Sequence, residues 1–379
     1  MNLTSSRRGF LAAGLTLPGA GLARSSAGVS LRYRKLGKTG LKVTEMGFGC
    51  MITSDPSVIE RAADTGINYF DTARVYGGGN NERMVGAALK SRRKNVYLSS
   101  KTKAATKQQA LADLDTSLRE LQTDYLDIWY LHDKRSGADV TEELMEAQRA
   151  ARKVGKIRFT GITNHAGHDS VIPAVVNAKH FEVLLTSYHF AMDAAAVDPL
   201  LAQAHKAGIG VVAMKVMAGG QRKASYYPSD DKTRSRLSKE GAPLAALKWV
   251  LKNRNVDTTI PSIIDTEQLE ENLKAMAAPF TPDDARVLAA HLEHIKPLYC
   301  RFCGACSGTC PQGLPVSDML RYLMYAEGYG QFPLGREHFQ QLAPETRQVR
   351  CGDCAECVVR CPNGVRVPER LSRAQEIFA

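Results

Sequence analysis

The sequence predicts an α/β protein: a TIM (β/α)8 barrel followed by a small, mainly helical domain. From residue 44 onward, short β-branched runs alternate repeatedly with segments of helical periodicity. Eight such β-α units fit into about 235 residues, near the length of about 250 that is typical of this barrel. No Gly-x-Gly-x-x-Gly motif follows any of the strands, which argues against a doubly wound sheet.

A hairpin is expected ahead of the barrel, formed by Arg32–Lys35, a turn and Leu41–Val43. The eight barrel strands are then expected, in chain order, at Thr44–Cys50, Ile67–Asp71, Asn95–Lys101, Tyr125–His132, Ile157–Thr163, Val183–Ser187, Gly210–Lys215 and Asp257–Pro261. Apolar residues at helical spacing mark two of the intervening helices: Leu111, Leu114, Leu118 and Leu121 in one, and Leu244, Leu247, Val250 and Leu251 in the other. We assign residues 31–295 to the barrel and residues 296–379 to the second domain.

Composition and charge restrict the class of protein. The chain has 379 residues, of which 44% are hydrophobic and 23% are charged, and these are ordinary values for a globular protein. Disordered and collagen-like chains are thereby excluded. The formal net charge is +11, but no Lys/Arg cluster is interleaved with aromatic residues, so no nucleic-acid surface is expected.

The first residues have the features of an export signal. Residues 4–11 read TSSRRGFL and are followed by an apolar stretch rich in Gly and Ala and then by small residues. A basic segment, a short apolar segment and a small-residue cleavage site, in that order, are typical of a signal peptide. The Arg7-Arg8 pair followed by Phe10 resembles the twin-arginine signal of bacterial export. The alternative is an N-terminus that merely contains two arginines.

We therefore expect residues 1–27 to be removed and the folded protein to reach the periplasm, with the twin-arginine export machinery as a partner. The apolar stretch is too short and too rich in glycine for a stable membrane helix. No later run approaches the about 20 apolar residues that a span requires. No stable membrane span is expected after cleavage.

Four ionisable residues lie at or just beyond predicted strand ends: Asp71, Tyr76, Lys101 and His132. In a barrel of this type, the C-terminal ends of the strands and the loops after them carry the chemistry. Each residue type alone is more often structural than catalytic. Together they suit carbonyl reduction, because Tyr76 can deliver a proton to oxygen if Lys101 stabilises its phenolate. We expect Asp71 to orient Lys101 and the imidazole N–H of His132 to position the carbonyl oxygen.

The segments around these residues resemble a known family. They read FDTARVYGGGNNERMVGAAL (70–89), VYLSSKT (96–102), YLDIWYLHD (125–133) and GKIRFTGITNH (155–165). They are similar to the aldo-keto reductase family, and the likeness runs from RYRKLGKTGLKVTEMGFGC (32–50) to IPSIIDTEQLEENLKA (260–275). The resemblance places the family's Asp, Tyr, Lys and His tetrad on the four residues above. It implies an oxidoreductase, an NAD(P)H-dependent carbonyl reductase or alcohol dehydrogenase with a small carbonyl or alcohol substrate.

The same resemblance marks candidate residues for the nicotinamide end of the cofactor. The family's Ser-Asn pair appears here as Thr163 and Asn164, which keep a hydroxyl and an amide. The glutamine of the next strand is replaced by Leu185. The aromatic residue that stacks on nicotinamide is replaced by Met214, and Lys215 follows it as a further candidate contact.

At the adenosine end, the family positions are Ser262, Gln268, Glu271 and Asn272. NADP-selective members carry Lys and Arg for the 2′-phosphate where this chain has Ser262 and Gln268, whereas Glu271 and Asn272 are as in the family. Charge-assisted hydrogen bonds contribute about 1.5 to 3 kcal/mol each, so their loss weakens discrimination in favour of NADP. The sequence leaves open which dinucleotide binds.

Eight of the nine cysteines fall after residue 299, in two copies of one motif. CRFCGACSGTCP (300–311) and CGDCAECVVRCP (351–362) both read CxxCxxCxxxCP. Disulfides suit a periplasmic protein but not cysteines so closely spaced, and zinc sites would leave the third cysteine without a role. The spacing matches the bacterial run for two 4Fe–4S clusters, in which the fourth cysteine of each motif serves the other cluster. The expected ligand sets are Cys300, Cys303 and Cys306 with Cys361, and Cys351, Cys354 and Cys357 with Cys310.

The segment between the two motifs, residues 311–350, is too long for the small all-loop ferredoxin. It contains apolar residues at helical spacing, namely Met319, Leu320, Leu323 and Met324. We expect a mainly helical ferredoxin-like domain whose helices pack on the barrel, and the whole chain resembles a subgroup of the family with a C-terminal ferredoxin extension. The ninth cysteine, Cys50, is interpreted as core or pocket wall rather than a reactive thiol.

The two halves handle electrons differently, because nicotinamide passes two as a hydride and a 4Fe–4S cluster passes one at a time. The main hypothesis is a carbonyl reductase or alcohol dehydrogenase that is exported folded with nucleotide and clusters in place. The alternative, favoured by Leu185 and Met214, is an electron-transfer protein whose barrel docks another redox unit or a flavin. A third hypothesis makes the clusters structural. The first two hypotheses involve a redox partner protein. The sequence does not indicate the substrate.

Overall fold

A computed structural model describes residues 30–219, 241–354 and 356–379. The predicted signal, residues 1–27, lies outside the described residues. A two-stranded antiparallel hairpin precedes an eight-stranded parallel sheet whose spatial order follows the sequence. The strands are β1 (Tyr33–Lys35), β2 (Lys42–Thr44), β3 (Phe48–Gly49), β4 (Tyr69–Asp71), β5 (Tyr97–Thr102), β6 (Leu126–Lys134), β7 (Ile157–Asn164), β8 (Val183–Ser187), β9 (Gly210–Met214) and β10 (Thr258–Thr259).

The parallel sheet curls into a nearly closed barrel, which confirms the predicted fold. Parallel bridges join Met46 to Thr259 and Gly49 to Ser262, so the two edge strands meet. The backbone N–H of Gly47 donates to the carbonyl of Thr259 at 2.8 Å. The first and last strands are shorter than predicted, because their pairing at the closure is reduced to isolated bridges.

The predicted hairpin closes the N-terminal end of the barrel. Tyr33 of β1 pairs with Thr44 of β2, and Leu36 in the turn is fully buried. Gly37 has a φ of +50°, and a Cβ there would lie 2.3 Å from the backbone nitrogen of Gly210, so the close approach requires glycine. The opposite end of the barrel, at the C-terminal ends of the strands, is where active sites of this fold lie.

Helices surround the barrel and bury its apolar outer face. They are α1 (Pro56–Asp64), α2 (Asn80–Leu89), α3 (Lys107–Glu120), α4 (Glu142–Lys153), α5 (His168–Ala178), α6 (Ala194–Lys206), α7 (Ala242–Leu251), α8 (Thr266–Leu273) and α9 (Pro282–Ile295). The apolar stripes predicted for α3 and α7 pack into the main core, with Leu114 and Leu247 fully buried.

The C-terminal region is helical, with α10 (Val316–Glu327), α11 (Phe332–Gln340), α12 (Pro344–Gln348) and α13 (Val367–Phe378). It has its own apolar core, in which Met319, Leu320 and Leu323 of α10 are buried. Six of the eight motif cysteines pack at the edge of this core. Within the described ranges, no helix is long and apolar enough to cross a membrane.

Helix α10 lies across the mouth of the barrel. Met324 and Tyr325 of this helix share an apolar cluster with Ala218, which follows β9. After the helix, Gly328 approaches the barrel so closely that a Cβ there would lie 2.1 Å from the carbonyl oxygen of Gly219. The expected packing of the helical domain on the barrel is therefore confirmed, and it occurs at the end where the strand-end residues lie.

Candidate active site and cluster region

The four predicted catalytic residues come together at the C-terminal end of the barrel. Asp71 ends β4, Lys101 is the next-to-last residue of β5, and His132 lies two residues before the end of β6. Tyr76 begins the short 3-10 turn Tyr76–Gly79 that follows β4. Parallel pairing of β4 with β5 and of β5 with β6 places these strand ends next to one another.

A hydrogen-bonded chain links three of them. Lys101 Nζ donates to Asp71 Oδ2 at 2.6 Å and to the carbonyl oxygen of Thr72 at 2.7 Å. It also lies 3.4 Å from the hydroxyl oxygen of Tyr76, and Ser99 Oγ donates to the second carboxylate oxygen of Asp71 at 2.7 Å. The Asp71 and Lys101 residues are 2% and 1% exposed, so the ion pair is rigidly held and shielded from water.

Burial controls the protonation of Tyr76 and Asp71. It raises the pKa of Tyr76 well above its ordinary value, and the negative charge of Asp71 acts in the same direction. Burial also raises the pKa of Asp71, against the opposing effect of Lys101. In the free site, desolvation thus makes the Tyr76 phenolate unfavourable. Tyr76 carries its proton at neutral pH, as a proton donor must.

His132 faces the same site as a neutral imidazole. Its ring centre lies 6.1 Å from that of Tyr76 in an edge-on arrangement. Burial, followed by the nearby charge of Lys101, lowers the pKa of His132 well below its ordinary value. Its Nδ1 has no hydrogen-bond partner among the described residues. A neutral ring can donate one N–H to a substrate oxygen, which is the role predicted from the sequence.

His165 is a further histidine of the site that the sequence reasoning missed. It follows directly after β7, its ring centre lies 6.2 Å from that of His132, and it lines the same cavity. Its pKa is also lowered well below the ordinary value, chiefly by burial and then by the charge of Lys215. The available signal was its position at a strand end, the same rule that identified Asp71 and His132.

These residues line a cavity of about 340 Å³ between the barrel and the C-terminal domain. Tyr76, His132 and His165 contribute from the barrel side. The residues contributed by the C-terminal domain are Arg321, Tyr325, Gly328, Tyr329, Leu334 and His338. The sequence predicted contact between the two domains but not that the second domain would form part of the wall of the candidate active site.

Of the eight predicted nucleotide contacts, four line this cavity: Met214, Lys215, Ser262 and Gln268. Thr163, Asn164 and Asn272 are buried beside it, Glu271 is partly buried, and these four are not among the residues of the cavity wall in the described part of the chain. Thr163 is engaged within the protein, because its hydroxyl accepts the backbone N–H of Asp133 at 2.8 Å.

The buried polar atoms fit a nicotinamide. Asn164 Oδ1 has no partner among the described residues, although its Nδ2 donates to the carbonyl of Ala166 at 3.2 Å. An unsatisfied buried acceptor is costly, and the carboxamide of nicotinamide carries a donor of the required kind. At the adenosine end, neither Ser262 nor Gln268 offers the positive charge that a 2′-phosphate favours.

Lys215 has a left-handed backbone conformation, and its ammonium lies near three aromatic rings. It follows β9 with a φ of +57°, and its ammonium lies 5.3 Å from the ring centre of Phe302, 5.4 Å from that of Tyr325 and 6.0 Å from that of Tyr329. Burial lowers the pKa of Lys215 to about 7, and the nearby charge of Arg321 acts in the same direction. This group of rings from the C-terminal domain was not evident from the sequence.

A network of charges joins the barrel to α10. Arg321 lies 3.5 Å from Asp133 and 2.9 Å from Asp318, and Arg135 lies 2.9 Å from Asp318. Burial alone would raise the pKa of Asp133, but Arg321 and the neighbouring cations lower it overall. Because Asp133 is adjacent to His132, the network connects the C-terminal domain directly to the catalytic strand.

All nine cysteines are free thiols, which is contrary to the disulfide alternative. The thiols of the two motifs influence one another's pKa values. The pKa of Cys300 is raised to about 12, by burial and then by Cys306 and Cys303, while Cys361 is among the groups that raise the pKa of Cys306.

The second motif has the same arrangement. Burial raises the pKa of Cys351, and Cys357, Cys310 and Cys354 act in the same direction. The two crossed ligand sets stay a prediction that rests on the spacing of the motifs. Within the described residues, no group of three or more His, Cys, Asp or Glu side chains is tight enough to hold a single metal ion.

Hydrogen-bond donors are directed at the sulfur atoms of the first set. The backbone N–H of Phe302 donates to Cys300 Sγ at 3.3 Å, and Asn363 Nδ2 donates to Cys303 Sγ at 3.3 Å. Such donors stabilise thiolates and tune iron–sulfur clusters. The donor set and its surroundings fit two 4Fe–4S clusters.

A TIM barrel with an Asp–Lys–Tyr chain beside a neutral histidine defines a class of oxidoreductases that reduce carbonyl groups. The family model described as the aldo/keto reductase family matches residues 54–293, and the chain belongs to that family. A second model, described as a 4Fe-4S dicluster domain, matches residues 299–365. The protein is thus an aldo/keto reductase family oxidoreductase with a 4Fe–4S dicluster domain.

Similar proteins match the barrel over most of their own length. L-galactose dehydrogenase of Arabidopsis thaliana is 28% identical over 291 residues, covering 65% of this chain and 88% of that protein. The uncharacterized oxidoreductase YqkF of Bacillus subtilis (strain 168) is 28% identical over 308 residues, covering 69% and 97%. Among solved structures, the holo form of aldo-keto reductase AKR11C1 from Bacillus halodurans aligns with a TM-score of 0.56 and 26% identity, covering 68% and 95%.

Proposed function

We propose that the protein is an NAD(P)H-dependent carbonyl reductase or alcohol dehydrogenase that carries two 4Fe–4S clusters and acts in the periplasm. The observation that carries this proposal is the chain from Asp71 through Lys101 to Tyr76, which ends beside His132 in a cavity. Membership of the aldo/keto reductase family, whose members typically use NAD(P)H, supports it.

When bound, the nicotinamide supplies or accepts a hydride at the carbonyl carbon. In the direction of reduction, Tyr76 donates its proton to the carbonyl oxygen, and the Lys101 ammonium stabilises the phenolate that remains. Asp71 holds Lys101 in place through their ion pair. His132, neutral because it is buried, orients the carbonyl oxygen with an N–H. In the direction of oxidation, the Tyr76 phenolate takes the proton back.

The dinucleotide would lie along the side of the cavity that carries Met214, Ser262 and Gln268, with Asn164 as acceptor for the carboxamide. Because no cation stands at the positions used for the 2′-phosphate, NADH should bind at least as well as NADPH. Direct comparison of the two dissociation constants by calorimetry tests this preference.

The substrate would be a small, hydroxylated carbonyl compound or the matching alcohol. The cavity wall includes the polar side chains of His132, Asp133, His165 and Arg321, and such groups bind hydroxyls better than hydrocarbon. The similarity to a protein named L-galactose dehydrogenase points in the same direction. A panel of hydroxylated and alkyl aldehydes of equal length, compared by kcat/KM, distinguishes the two substrate types.

The clusters would be held by the two crossed cysteine sets, and each supplies single electrons when bound. Since a hydride carries two electrons, the clusters do not replace the nicotinamide but give a redox partner protein access to a site next to the cavity. Iron and sulfide analysis of the purified holoprotein should give eight of each per chain on this proposal.

Replacing Tyr76 by Phe tests the carbonyl chemistry. General acid catalysis of this kind contributes about 10²- to 10⁴-fold, so kcat for aldehyde reduction should fall by at least about 100-fold while the affinity for the dinucleotide is retained. The ring and its packing are preserved, which makes loss of folding an inadequate explanation. Unchanged kcat in the variant would exclude the proposed role of Tyr76.

A second candidate function is electron transfer without carbonyl chemistry, with a flavin or another redox unit docked in the barrel. It is favoured by Met214 in place of the stacking aromatic residue and by the dicluster domain forming part of the cavity wall. On this view the protein binds flavin mononucleotide more tightly than NADH, and Tyr76→Phe leaves cluster reduction unchanged. Tight binding of NADH with no flavin affinity would reject it.

We also propose export by the twin-arginine route, which rests on the residues of the first segment alone. Replacement of both Arg7 and Arg8 by Lys conserves charge but should retain the protein in the cytoplasm, as cell fractionation would show. Normal export of this double variant would exclude the route.

A further inference from the structure

Lys215 has no place in the proton-delivery chain, yet it lines the same cavity. Its left-handed backbone conformation, with a φ of +57°, is unfavourable for a residue with a side chain, so packing must hold it there. The ammonium lies among three rings that all belong to the C-terminal domain, at 5.3 to 6.0 Å from their centres.

One of those rings belongs to the first cysteine motif. Phe302 lies between Cys300 and Cys303, and its backbone N–H donates to Cys300 Sγ at 3.3 Å. Cys300 and Phe302 share one apolar cluster with Ala218, which lies three residues after Lys215 in the chain. Lys215 therefore lies between the cavity and the first cysteine set.

We propose that the Lys215 ammonium raises the reduction potential of the cluster held by Cys300, Cys303, Cys306 and Cys361, and that it acts from inside the active-site cavity. The inference rests on the ligand sets of the proposed function. Four thiolates make such a cluster negative, and one-electron reduction adds a further negative charge to it. A cation in a site with little water stabilises the reduced form more than the oxidised form.

The effect should be specific to the first cluster. Cys300 and Phe302 pack in the cluster of apolar residues between the domains, whereas no residue of the second motif belongs to that cluster in the described chain. The reduction potential of the first cluster is thus the one that should respond to charge in the cavity. Through Lys215, a charge on the barrel would influence the reduction potential of a cluster in the dicluster domain.

Redox titration of the full-length holoprotein with dithionite, followed by EPR, tests this role in the wild type and in Lys215→Met. At a fixed applied potential, the oxidised-to-reduced ratio of the first cluster should rise about tenfold in the variant, which is a 59 mV lower potential for a one-electron couple. The second cluster should change much less. Lys215→Arg, which keeps the charge, should restore most of the wild-type potential.

Lys252→Met is the matched control. Lys252 also lies over two aromatic rings, 5.3 Å from the centre of Trp249 and 4.5 Å from that of Phe280, but it is not part of the cavity wall. Neither cluster potential should change in this variant. If Lys215→Met does not retain its iron, Lys215→Gln takes its place in the comparison.

Two failures can be told apart. Wild-type potentials for both clusters in an iron-replete Lys215→Met variant would overturn the role of Lys215 while leaving the proposed function intact. A wild-type protein without iron or a cluster EPR signal would instead overturn the assignment of the cysteines. An equal shift of both clusters would also contradict the specific role, because it would indicate a general change of charge.

Discussion

At the scale of single residues, the site depends on a buried ion pair whose two members need each other. Lys101 and Asp71 are 2.6 Å apart and almost fully buried. An unpaired charge at either position would be costly, because burial removes the charge from water. The ion pair allows Lys101 to present a fixed positive charge to Tyr76, and this makes it part of the function as well as of the structure.

Removal of one member should therefore be worse for stability than removal of both. Lys101→Met leaves Asp71 as an unpaired buried carboxylate, which costs about 3 to 5 kcal/mol. The double variant Lys101→Met/Asp71→Asn should regain much of that loss without regaining activity. Thermal unfolding midpoints and kcat measure the two effects separately. A double variant less stable than Lys101→Met would contradict this account.

A second prediction at this scale concerns acid stability. Burial lowers the pKa of His291 in α9 to about 4, whereas an unfolded histidine has an ordinary value near about 6.5. Between these values the unfolded state binds the extra proton, so stability is full above pH 6.5 and falls as the pH is lowered towards 4.

The contribution of His291 between pH 7 and pH 5 is about 2 kcal/mol by this linkage. His291→Gln, which cannot titrate, should show a smaller loss of stability over that interval than the wild type. Denaturant unfolding at the two pH values measures the difference. The same pH response in both proteins would show that His291 is protonated in the folded state.

At the scale of elements, the decisive contact is between α10 and the end of β6. Arg321 on the helix is 8% exposed in its side chain, and the neighbouring Arg135 is 47% exposed. Both are paired with Asp318 and with Asp133, but Arg321 is the one whose side chain is buried between the helix and strand β6. The burial of each arginine, rather than the number of its ion pairs, should decide how much it contributes to the free energy of unfolding.

The two arginines therefore form a matched pair of substitutions. Arg321→Met should lower stability by about 3 kcal/mol and raise KM for the carbonyl substrate, because buried Asp133 loses a partner and α10 loses its attachment. Arg135→Met removes the same charge at the surface and should cost less than about 1 kcal/mol. Unfolding midpoints and KM values of both variants provide the comparison. Similar effects for the two would show that burial is not what matters.

The presence of each strand and helix was easier to predict from the sequence than the residues at which it begins and ends. The alternation of strands and helices identified all eight barrel strands, because period-2 and period-3.6 patterns differ clearly over several residues. The two strands at the barrel closure were predicted too long, since apolar residues continue past the point where regular pairing stops. The four tetrad positions were predictable from the strand-end rule and the family resemblance, and the cysteine motifs from their local spacing.

The composite cavity was not predictable by these means. Arg321 and the rings around Lys215 acquire their roles from the packing of one domain on the other, and no local pattern reports that packing, whereas His165 could have been found from its position at a strand end. The pKa of Tyr76 was not predictable for a related reason, because desolvation depends on the assembled surroundings rather than on the nearest charge.

At the scale of the whole molecule, the dicluster domain completes the active-site cavity. Its first motif packs against the barrel through Phe302, and its helix α10 lies across the barrel mouth. The nucleotide side of the cavity, by contrast, is formed by barrel residues such as Ser262 and Gln268. Loss of the first cluster should therefore affect the substrate more than the dinucleotide.

Cys303→Ser and Cys354→Ser separate the two clusters, once iron analysis confirms that each variant has lost one. In Cys303→Ser, KM for the carbonyl substrate should rise several-fold and hydrogen exchange in α10 should accelerate, with little change in the dissociation constant for NADH. Cys354→Ser, in the motif remote from the barrel mouth, should have the smaller effect on all three. The reverse order would contradict the proposed role of the first motif.

The central claim is that carbonyl chemistry takes place at Tyr76 next to the clusters, and isotope transfer tests it most directly. The holoprotein is supplied with NADH or NADPH deuterated at the transferable position and with a hydroxylated aldehyde such as glyceraldehyde, and the product is analysed by mass spectrometry. The account predicts one deuterium on the former carbonyl carbon for each cofactor oxidised. Oxidation of the cofactor with reduction of the clusters and no deuterium in the product would contradict it.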